Sequence, residues 1–506
     1  MLISRNLFAS VLCIGIIPCI ACLGQTPASF STVSSAAISE FPISLYAIDV
    51  NNDGLSDLIE GTQSSNVSVF TVSLAKGDGS FAAPVTYSFP SYTSSELAFG
   101  DFNGDGKVDV VATVANSNQI AIAFGNGNVT FQPPKVFTVA IPTGDSFDGP
   151  LVAADFNRDG KMDVVAMTSH NGGGGGAAVV LAGDGKGNLT SKGSIYTFAA
   201  GLYPQQLVTG DFDSDNNADV ALTTTNQQTT GSVVHVLYGN GSFGFQDTVA
   251  YSTPYNLTLS SGDLNGDGRT DVFGYENTYA SSGSRLVLLY GQTGKTFDTY
   301  YTPVQQNNEH FNVGTLVMAD FNGDGRMDLV GLNNPNSGNS QVTVYLAGGS
   351  LGMFKPETYT LPHYESQPYI VVGDFNRDGK PDIATVDLVT GSTYNAISII
   401  NHTTAGYYGG CAYPKAGQGI SVCTPSGASV SNPISFSAAA NSFGQIRKFE
   451  LWVDGKKIAD DYHSWGHKAY FDLTTSLAPG SHYATFNVTT VDNDAMDYNL
   501  KITVAP

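Results

Sequence analysis

The sequence has 506 residues, 57 of them glycine, with 44 Asp and Glu against 22 Lys and Arg and a formal charge of −22. Hydrophobic residues at 42% are enough for a packed core, which excludes global disorder. The acid surplus excludes a nucleic-acid partner, because it offers no cationic surface to replace phosphate counterions.

The chain opens with Arg5 and an apolar run from Leu7 to Ile20, too short to span a bilayer comfortably. Small residues follow at Ala21, Gly24 and Ala28. We read residues 1–24 as a secretory signal peptide, with an uncleaved anchor or lipidation at Cys22 as alternatives. The expected location is secreted, periplasmic or cell-surface. Removing Cys13, Cys19 and Cys22 leaves Cys411 and Cys423. These two are expected to form a disulfide, the alternative being two free thiols. No later segment is apolar enough for a transmembrane helix.

A repeat then occupies most of the chain. Seven nonapeptides fit D-x-[ND]-x-D-[GN]-x-x-D: DVNNDGLSD (49–57), DFNGDGKVD (101–109), DFNRDGKMD (155–163), DFDSDNNAD (211–219), DLNGDGRTD (263–271), DFNGDGRMD (320–328) and DFNRDGKPD (374–382). Their starts are 52 to 57 residues apart. A short apolar run enters each nonapeptide and a β-branched run leaves it. An alternating strand with a Gly-rich turn follows, and then a looser fourth strand, as in FAAPVTYSF (81–89). Each repeat is thus read as four antiparallel strands. Seven such units predict an all-β fold built on a seven-bladed β-propeller. After the seventh nonapeptide the fourth strand is missing, and residues 30–41 resemble one. They are expected to complete the last blade and hide its edge. The propeller is assigned to 30–402.

The nonapeptides have the donor set of calcium loops. Calcium takes six to eight oxygens. Position 1 is Asp49, Asp101, Asp155, Asp211, Asp263, Asp320 or Asp374, and position 3 is Asn51, Asn103, Asn157, Asp213, Asn265, Asn322 or Asn376. Position 5 is Asp53, Asp105, Asp159, Asp215, Asp267, Asp324 or Asp378. Position 7 would give its backbone carbonyl, from Leu55, Lys107, Lys161, Asn217, Arg269, Arg326 or Lys380. Position 9 would close the shell with Asp57, Asp109, Asp163, Asp219, Asp271, Asp328 or Asp382. Position 6 is Gly, or Asn216 in the fourth repeat, as a sharp turn requires. With neither Cys nor His in any loop, zinc and copper are poorly served. Five to seven calcium ions are expected, and 211–219 should differ in affinity. An Asx-rich turn that binds nothing is the alternative. The nonapeptides hold 22 of the 44 acids, so seven calcium ions would reduce the charge to about −8.

Phe99-Gly100-Asp101-Phe102-Asn103-Gly104-Asp105-Gly106 and its six relatives resemble the FG-GAP repeats of integrin α-subunit propellers and of bacterial VCBS/FG-GAP proteins. The resemblance covers about 30–402. It implies a seven-bladed propeller with calcium in hairpin loops on one face. It does not imply an integrin ligand.

Residues 403–418 read as a linker. Six or seven short strands follow in 419–506, with a hairpin turn at Asp454-Gly455. This segment is similar to bacterial Ig-like modules through VCTPSGASVSNPISFSA, KFELWVDGKKI and LAPGSHYATFNVTTVD. The resemblance implies a β-sandwich.

Catalytic motifs are poorly placed. Gly348 to Gly352 fits G-x-S-x-G and Gly239 to Gly244 fits G-x-G-x-x-G, but both are expected in blade hairpins without the helix these motifs require. GQTGKT (291–296) is an incomplete phosphate loop. His463 and His467 are read as part of a polar loop, and the Gly-rich run 171–176 as a flexible rim loop. The expected function is non-catalytic recognition or adhesion by a protein expected to be monomeric, with a protein or glycan as ligand. A polysaccharide lyase or hydrolase is the alternative. It would need ionisable side chains clustered in the central channel, away from the loops.

Overall fold

A computed structural model describes residues 30, 34–38, 42–64, 67–89, 93, 96–170, 175–226, 229–265, 267–277, 285–303, 316–322, 327–333, 340–347, 354–361, 369–378, 380–388, 395–400, 419–424, 429–442, 446–459, 463–465, 468–490 and 495–505. The expected signal peptide and Cys411 lie outside these residues, so the disulfide does too. All regular structure among the described residues is β-strand.

Seven antiparallel sheets follow the chain. Blade 1 comprises Pro42–Ile48, Asp57–Ser64, Val67–Ser73 and Val85–Ser88. Blade 2 comprises Ala98–Gly100, Asp109–Val114, Gln119–Ala123 and Lys135–Thr138. Blade 3 comprises Asp145–Ala154, Asp163–His170, Gly176–Gly183 and Leu189–Phe198. Blade 4 comprises Leu202–Gly210, Asp219–Asn226, Thr229–Gly239 and Phe245–Thr253. In blade 5 the first strand is broken into Asn256–Leu257 and Ser260–Gly262, followed by Asp271–Asn277, Arg285–Gln292 and Thr296–Pro303. Blade 6 comprises Val317–Ala319, Asp328–Asn333, Gln341–Ala347 and Phe354–Thr360. Blade 7 contributes Ile370–Gly373, Asp382–Leu388 and Asn395–Ile400. Its fourth strand is Ser34–Ile38, which pairs antiparallel with Asn395–Ile400 from Ser34↔Ile399 to Ile38↔Asn395.

The sheets stand in a ring. The first strand of blade 3 touches those of blades 2 and 4, and the first strand of blade 4 touches blade 5. The first strand of blade 7 touches those of blades 6 and 1. Blades 1 and 2 meet where Leu97 N–H donates to Tyr46 Oη at 2.8 Å. Blades 5 and 6 meet where Ser260 Oγ donates to the Leu316 carbonyl at 2.7 Å. The core is accordingly divided. Six hydrophobic clusters each join two adjacent blades, and the cluster between blades 5 and 6 extends into the C-terminal sheets.

This burial explains the apolar runs after each nonapeptide. A middle strand is covered on both faces by neighbouring blades, so all six residues of Asp109–Val114 are buried. The outer strand Val85–Ser88 alternates instead, as an edge facing water should. Gly210 shows how closely blades approach: a Cβ there would lie 2.4 Å from Thr270 Cγ2 of the next blade.

The C-terminal region forms two sheets. One has the order Gly419–Thr424, Ile434–Asn441, Lys468–Thr475, His463–Trp465. The other has the order Ser429–Val430, Ala495–Val504, Gly480–Thr490, Ile446–Val453, Lys456–Ala459. Phe436, Phe449, Phe471 and Phe486 are buried together in their shared core. Asp454 and Gly455 both have positive φ, as a tight hairpin between twisted strands demands. One expectation is corrected. His463 lies in a short strand paired with Lys468–Thr475, not in a loop, because the backbone there completes a sheet edge.

Candidate metal centres

Each nonapeptide joins the first strand of a blade to its second, and the Asp at position 9 opens the second strand. In blade 2, Asp101 Oδ1 accepts the N–H groups of Gly104 (2.7 Å) and Asp105 (3.1 Å), and Oδ2 accepts that of Gly106 (2.7 Å). Asn103 Oδ1 accepts from Asp105 N–H at 2.9 Å, and Asp105 Oδ1 from Lys107 N–H at 3.1 Å. The side chains at positions 1, 3 and 5 are thus drawn into one tight turn. Blades 1, 3, 4 and 5 repeat these bonds from positions 1, 3 and 5. In blade 7, Asn376 and Asp378 hold the same places. Asp320 and Asn322 lie in blade 6, but Asp324 and Arg326 lie outside the described residues.

Position 6 is left-handed, as the turn chemistry predicts: Gly54, Gly106, Gly160, Asn216 and Gly268 have φ between 65° and 88°. Position 4 is left-handed as well, at Asn52, Gly104, Arg158, Ser214 and Arg377. Sequence reasoning missed this. The Gly or Asn at position 4 in several repeats was the available signal, and Arg158 and Arg377 masked it.

Position 9 has a second role. Asp109 Oδ2 accepts Phe102 N–H (3.0 Å) and Oδ1 accepts Gly125 N–H from the outer hairpin (2.8 Å). The same pair of bonds recurs at Asp57, Asp163, Asp219, Asp271 and Asp328. This carboxylate therefore ties the loop to the third strand. A carboxylate oxygen has a second lone pair, so these bonds are compatible with metal ligation. Burial pushes Asp109 and Asp163 up to about 7, and the carboxylates at positions 1 and 5 add to the rise. Asp57, Asp219 and Asp271 are raised for the same first reason.

Cations of the chain sit at the rims of these loops. Lys107, Lys161, Arg269 and Lys380 at position 7 pair with Asp105, Asp159, Asp267 and Asp378 at 3.0, 3.2, 2.8 and 3.7 Å. Blade 1 has buried Leu55 at position 7 and takes its cation from blade 7, where Arg377 lies 3.7 Å from Asp53. Blade 4 has Asn217 there, and Lys295 of blade 5 lies 4.0 Å from Asp213.

Among the described residues, one loop brings three carboxylates to the spacing that a metal ion needs. In blade 4, one oxygen from each of Asp211, Asp213 and Asp215 lies within 4.8 Å of the others. Oxygens on a calcium shell of 2.3–2.6 Å radius are separated by at most about 5 Å.

Comparison with known proteins agrees with this loop pattern. Residues 49–112, 101–166 and 320–385 match the FG-GAP-like repeat family. The chain carries FG-GAP-like repeats. The T-cell immunomodulatory protein of Homo sapiens is 26% identical over 322 residues, covering 58% of this chain and 50% of that protein. Its Mus musculus counterpart is 24% identical over 327 residues, covering 60% and 52%. The chain thus spans about half the length of these curated relatives. Among solved structures, the WD40 domain of Toxoplasma gondii coronin is similar at a TM-score of 0.39 and 12% identity, over 76% of this chain and 90% of that one. The Dos1 propeller gives 0.40 and 10%, over 71% and 95%.

Among the described residues, the first strands of the blades carry mostly apolar and hydroxyl side chains just ahead of the loops. Two residues before each nonapeptide stand Ala47, Phe99, Ala153, Thr209, Ser261, Met318 and Val372, all half-buried. Burial pushes Glu96 to about 7, and burial first, then the charge of Glu96, raises Tyr46 and Tyr369 on blades 1 and 7. Among the described residues no helix is long and apolar enough to cross a membrane.

Proposed function

We propose that the protein is an exported, calcium-loaded recognition module that presents a rigid propeller face to a protein or glycan. The observation that carries this is the shared loop geometry: in every fully described nonapeptide the side chains at positions 1 and 3 accept the N–H of position 5, and in blade 4 one oxygen from each of Asp211, Asp213 and Asp215 lies within 4.8 Å of the others. Asp, Asn and backbone carbonyl are hard oxygen donors, suited to calcium. A bound ion supplies fixed positive charge at the loop. Positions 1, 3 and 5 hold it, position 7 offers its carbonyl, and position 9 anchors the loop to the blade.

The apolar and hydroxyl residues ahead of the loops favour binding over glycoside cleavage, which needs two carboxyl groups. The curated relatives are named for immunomodulation, which is in line with recognition of a partner. Export is supported by the charged and apolar pattern of residues 1–24. A C-terminal Ig-like identity is supported by the two packed sheets.

Calcium titration with native mass spectrometry tests the reading. Five to seven ions are expected, and two or fewer would reject it. A glycan and surface-protein array with and without calcium then identifies the ligand.

A further inference from the structure

We propose that the C-terminal pair of sheets is a lid on the acidic loop of blade 5, and that its Lys448 and calcium compete for that loop. This rests on the calcium reading above and adds a regulator to one of its sites. Position 6 sets blade 5 apart. Gly106 and Gly160, at position 6 in blades 2 and 3, are exposed, and a Cβ on either would meet nothing within 4 Å. Gly268 is buried, and a Cβ there would meet Lys448 Cε at 2.6 Å and Nζ at 3.4 Å. What covers this loop is therefore a cationic side chain from the C-terminal region.

Packing holds Lys448 in place. In Ile446–Val453, Phe449, Leu451 and Val453 are buried between the two C-terminal sheets, so Lys448 projects from the outer face of its own sheet. Leu264, at position 2 of the loop, belongs to the same continuous apolar core as Phe449. The edge strand His463–Trp465 lies against Val317–Ala319, which leads into the loop of blade 6. Glu450, the next acid along the strand from Lys448, is engaged by Lys457 Nζ at 3.1 Å.

Charge makes the two occupants rivals. Asp263, Asp267 and Asp271 give the loop three carboxyl groups. Arg269 is fixed at the rim, where it pairs with Asp267 at 2.8 Å and donates to the Gly291 carbonyl at 2.8 Å. Asp263 Oδ2 accepts Gly268 N–H at 2.7 Å, which places the Lys448 ammonium at most about 9 Å from that oxygen. This is inside the Debye length of about 10 Å at 0.1 M salt. Across such a gap in water, each unit of loop charge changes the pull on a cation about twofold. Calcium brings two positive units, so it should loosen Lys448 about fourfold, and Lys448 should weaken calcium by the same factor.

The test titrates calcium into the full chain at low salt, with ions counted by native mass spectrometry and affinities read by calorimetry. In Lys448→Met one site should tighten about fourfold. The gain should disappear when Asp267→Asn is added, which assigns it to blade 5. By reciprocity, hydrogen exchange in His463–Trp465 should run about fourfold faster with calcium in the native chain and not in Lys448→Met. Lys448→Gln carries the same test if the Met variant does not fold. Normal calcium uptake with every affinity unchanged in Lys448→Met, or a gain that survives Asp267→Asn, overturns the lid and leaves the calcium reading standing. Failure of the native chain to take up calcium rejects the calcium reading and the lid together.

Discussion

Gly373 in blade 7 and Ser56 in blade 1 meet at the seam of the ring: a Cβ on Gly373 would lie 2.5 Å from Ser56 Cβ. One residue on, Ser56 N–H donates to the Asp374 carbonyl at 3.2 Å. The seam is thus locked through the acidic loops themselves, from position 8 of one to position 1 of the other. Gly373→Ala should cost about 1–3 kcal/mol through overpacking. Denaturant melts of the single variants and of Gly373→Ala with Ser56→Gly form a cycle. The double variant should recover part of the loss, and additive losses would show that the contact is not the cause.

Ring closure by Ser34–Ile38 gives a second expectation. Deleting residues 30–41 leaves Asn395–Ile400 as an unpaired edge, so the protein should melt lower and self-associate. A synthetic peptide of residues 30–41 should reverse both effects. A monomeric deletion variant with an unchanged melt would remove this strand from the account of stability.

Metal binding should be coupled to folding. A site at 100 times its dissociation constant contributes about 2.7 kcal/mol to stability. Chelator should therefore lower the melting temperature, and calcium should restore it. An unchanged melt in excess chelator is the contrary result.

Positions 5 and 9 should separate in mutation. Asp109→Ala leaves the buried N–H groups of Phe102 and Gly125 without their acceptor, at a cost of about 1–3 kcal/mol each. That loss should persist in chelator. Asp105→Ala sits at the exposed rim and should cost at most about 1 kcal/mol there, while removing one bound ion. Equal losses for the two variants in chelator would refute this division of roles.

Glu60 predicts a pH dependence independent of the loops. It is buried on the second strand of blade 1, and burial raises it from its ordinary value to about 7. A raised folded-state pKa means that its contribution is fully present below about pH 4.5 and is lost as pH rises through 7. Glu60→Gln should flatten that fall in stability between pH 5 and pH 8, read from denaturant midpoints. A slope identical to that of the native chain would show that another group carries it.

Much of this architecture is legible in the residues. The recurrence of the nonapeptide fixes the repeat. The Gly or Asn at position 6 announces a left-handed turn, and Gly54, Gly106 and Asn216 have that conformation. The left-handed position 4 was not legible, because Arg158 and Arg377 are poor formers of it and only the surrounding loop holds them there. The cation partners were half legible. Lys107 beside Asp105 is a local pair, whereas Arg377 with Asp53 joins residues at opposite ends of the ring.

The surplus of acid with which the sequence opens is the clearest example of the division. Sequence alone places 22 of the 44 acids in seven loops, because local spacing sets which oxygens share a turn. Only the tertiary structure decides their electrostatics. It buries Asp57, Asp163 and Asp219 among backbone donors, and it brings Lys295 to Asp213 and Arg377 to Asp53 from neighbouring blades. It also brings Trp452 beside Tyr483, since facing positions on paired strands are set by register and not by distance along the chain. Local patterns determine turns and strands because their contacts span a few residues. Blade contacts, charge partners and the sheet face depend on contacts between distant residues, which exist only once the ring and the C-terminal sheets have formed.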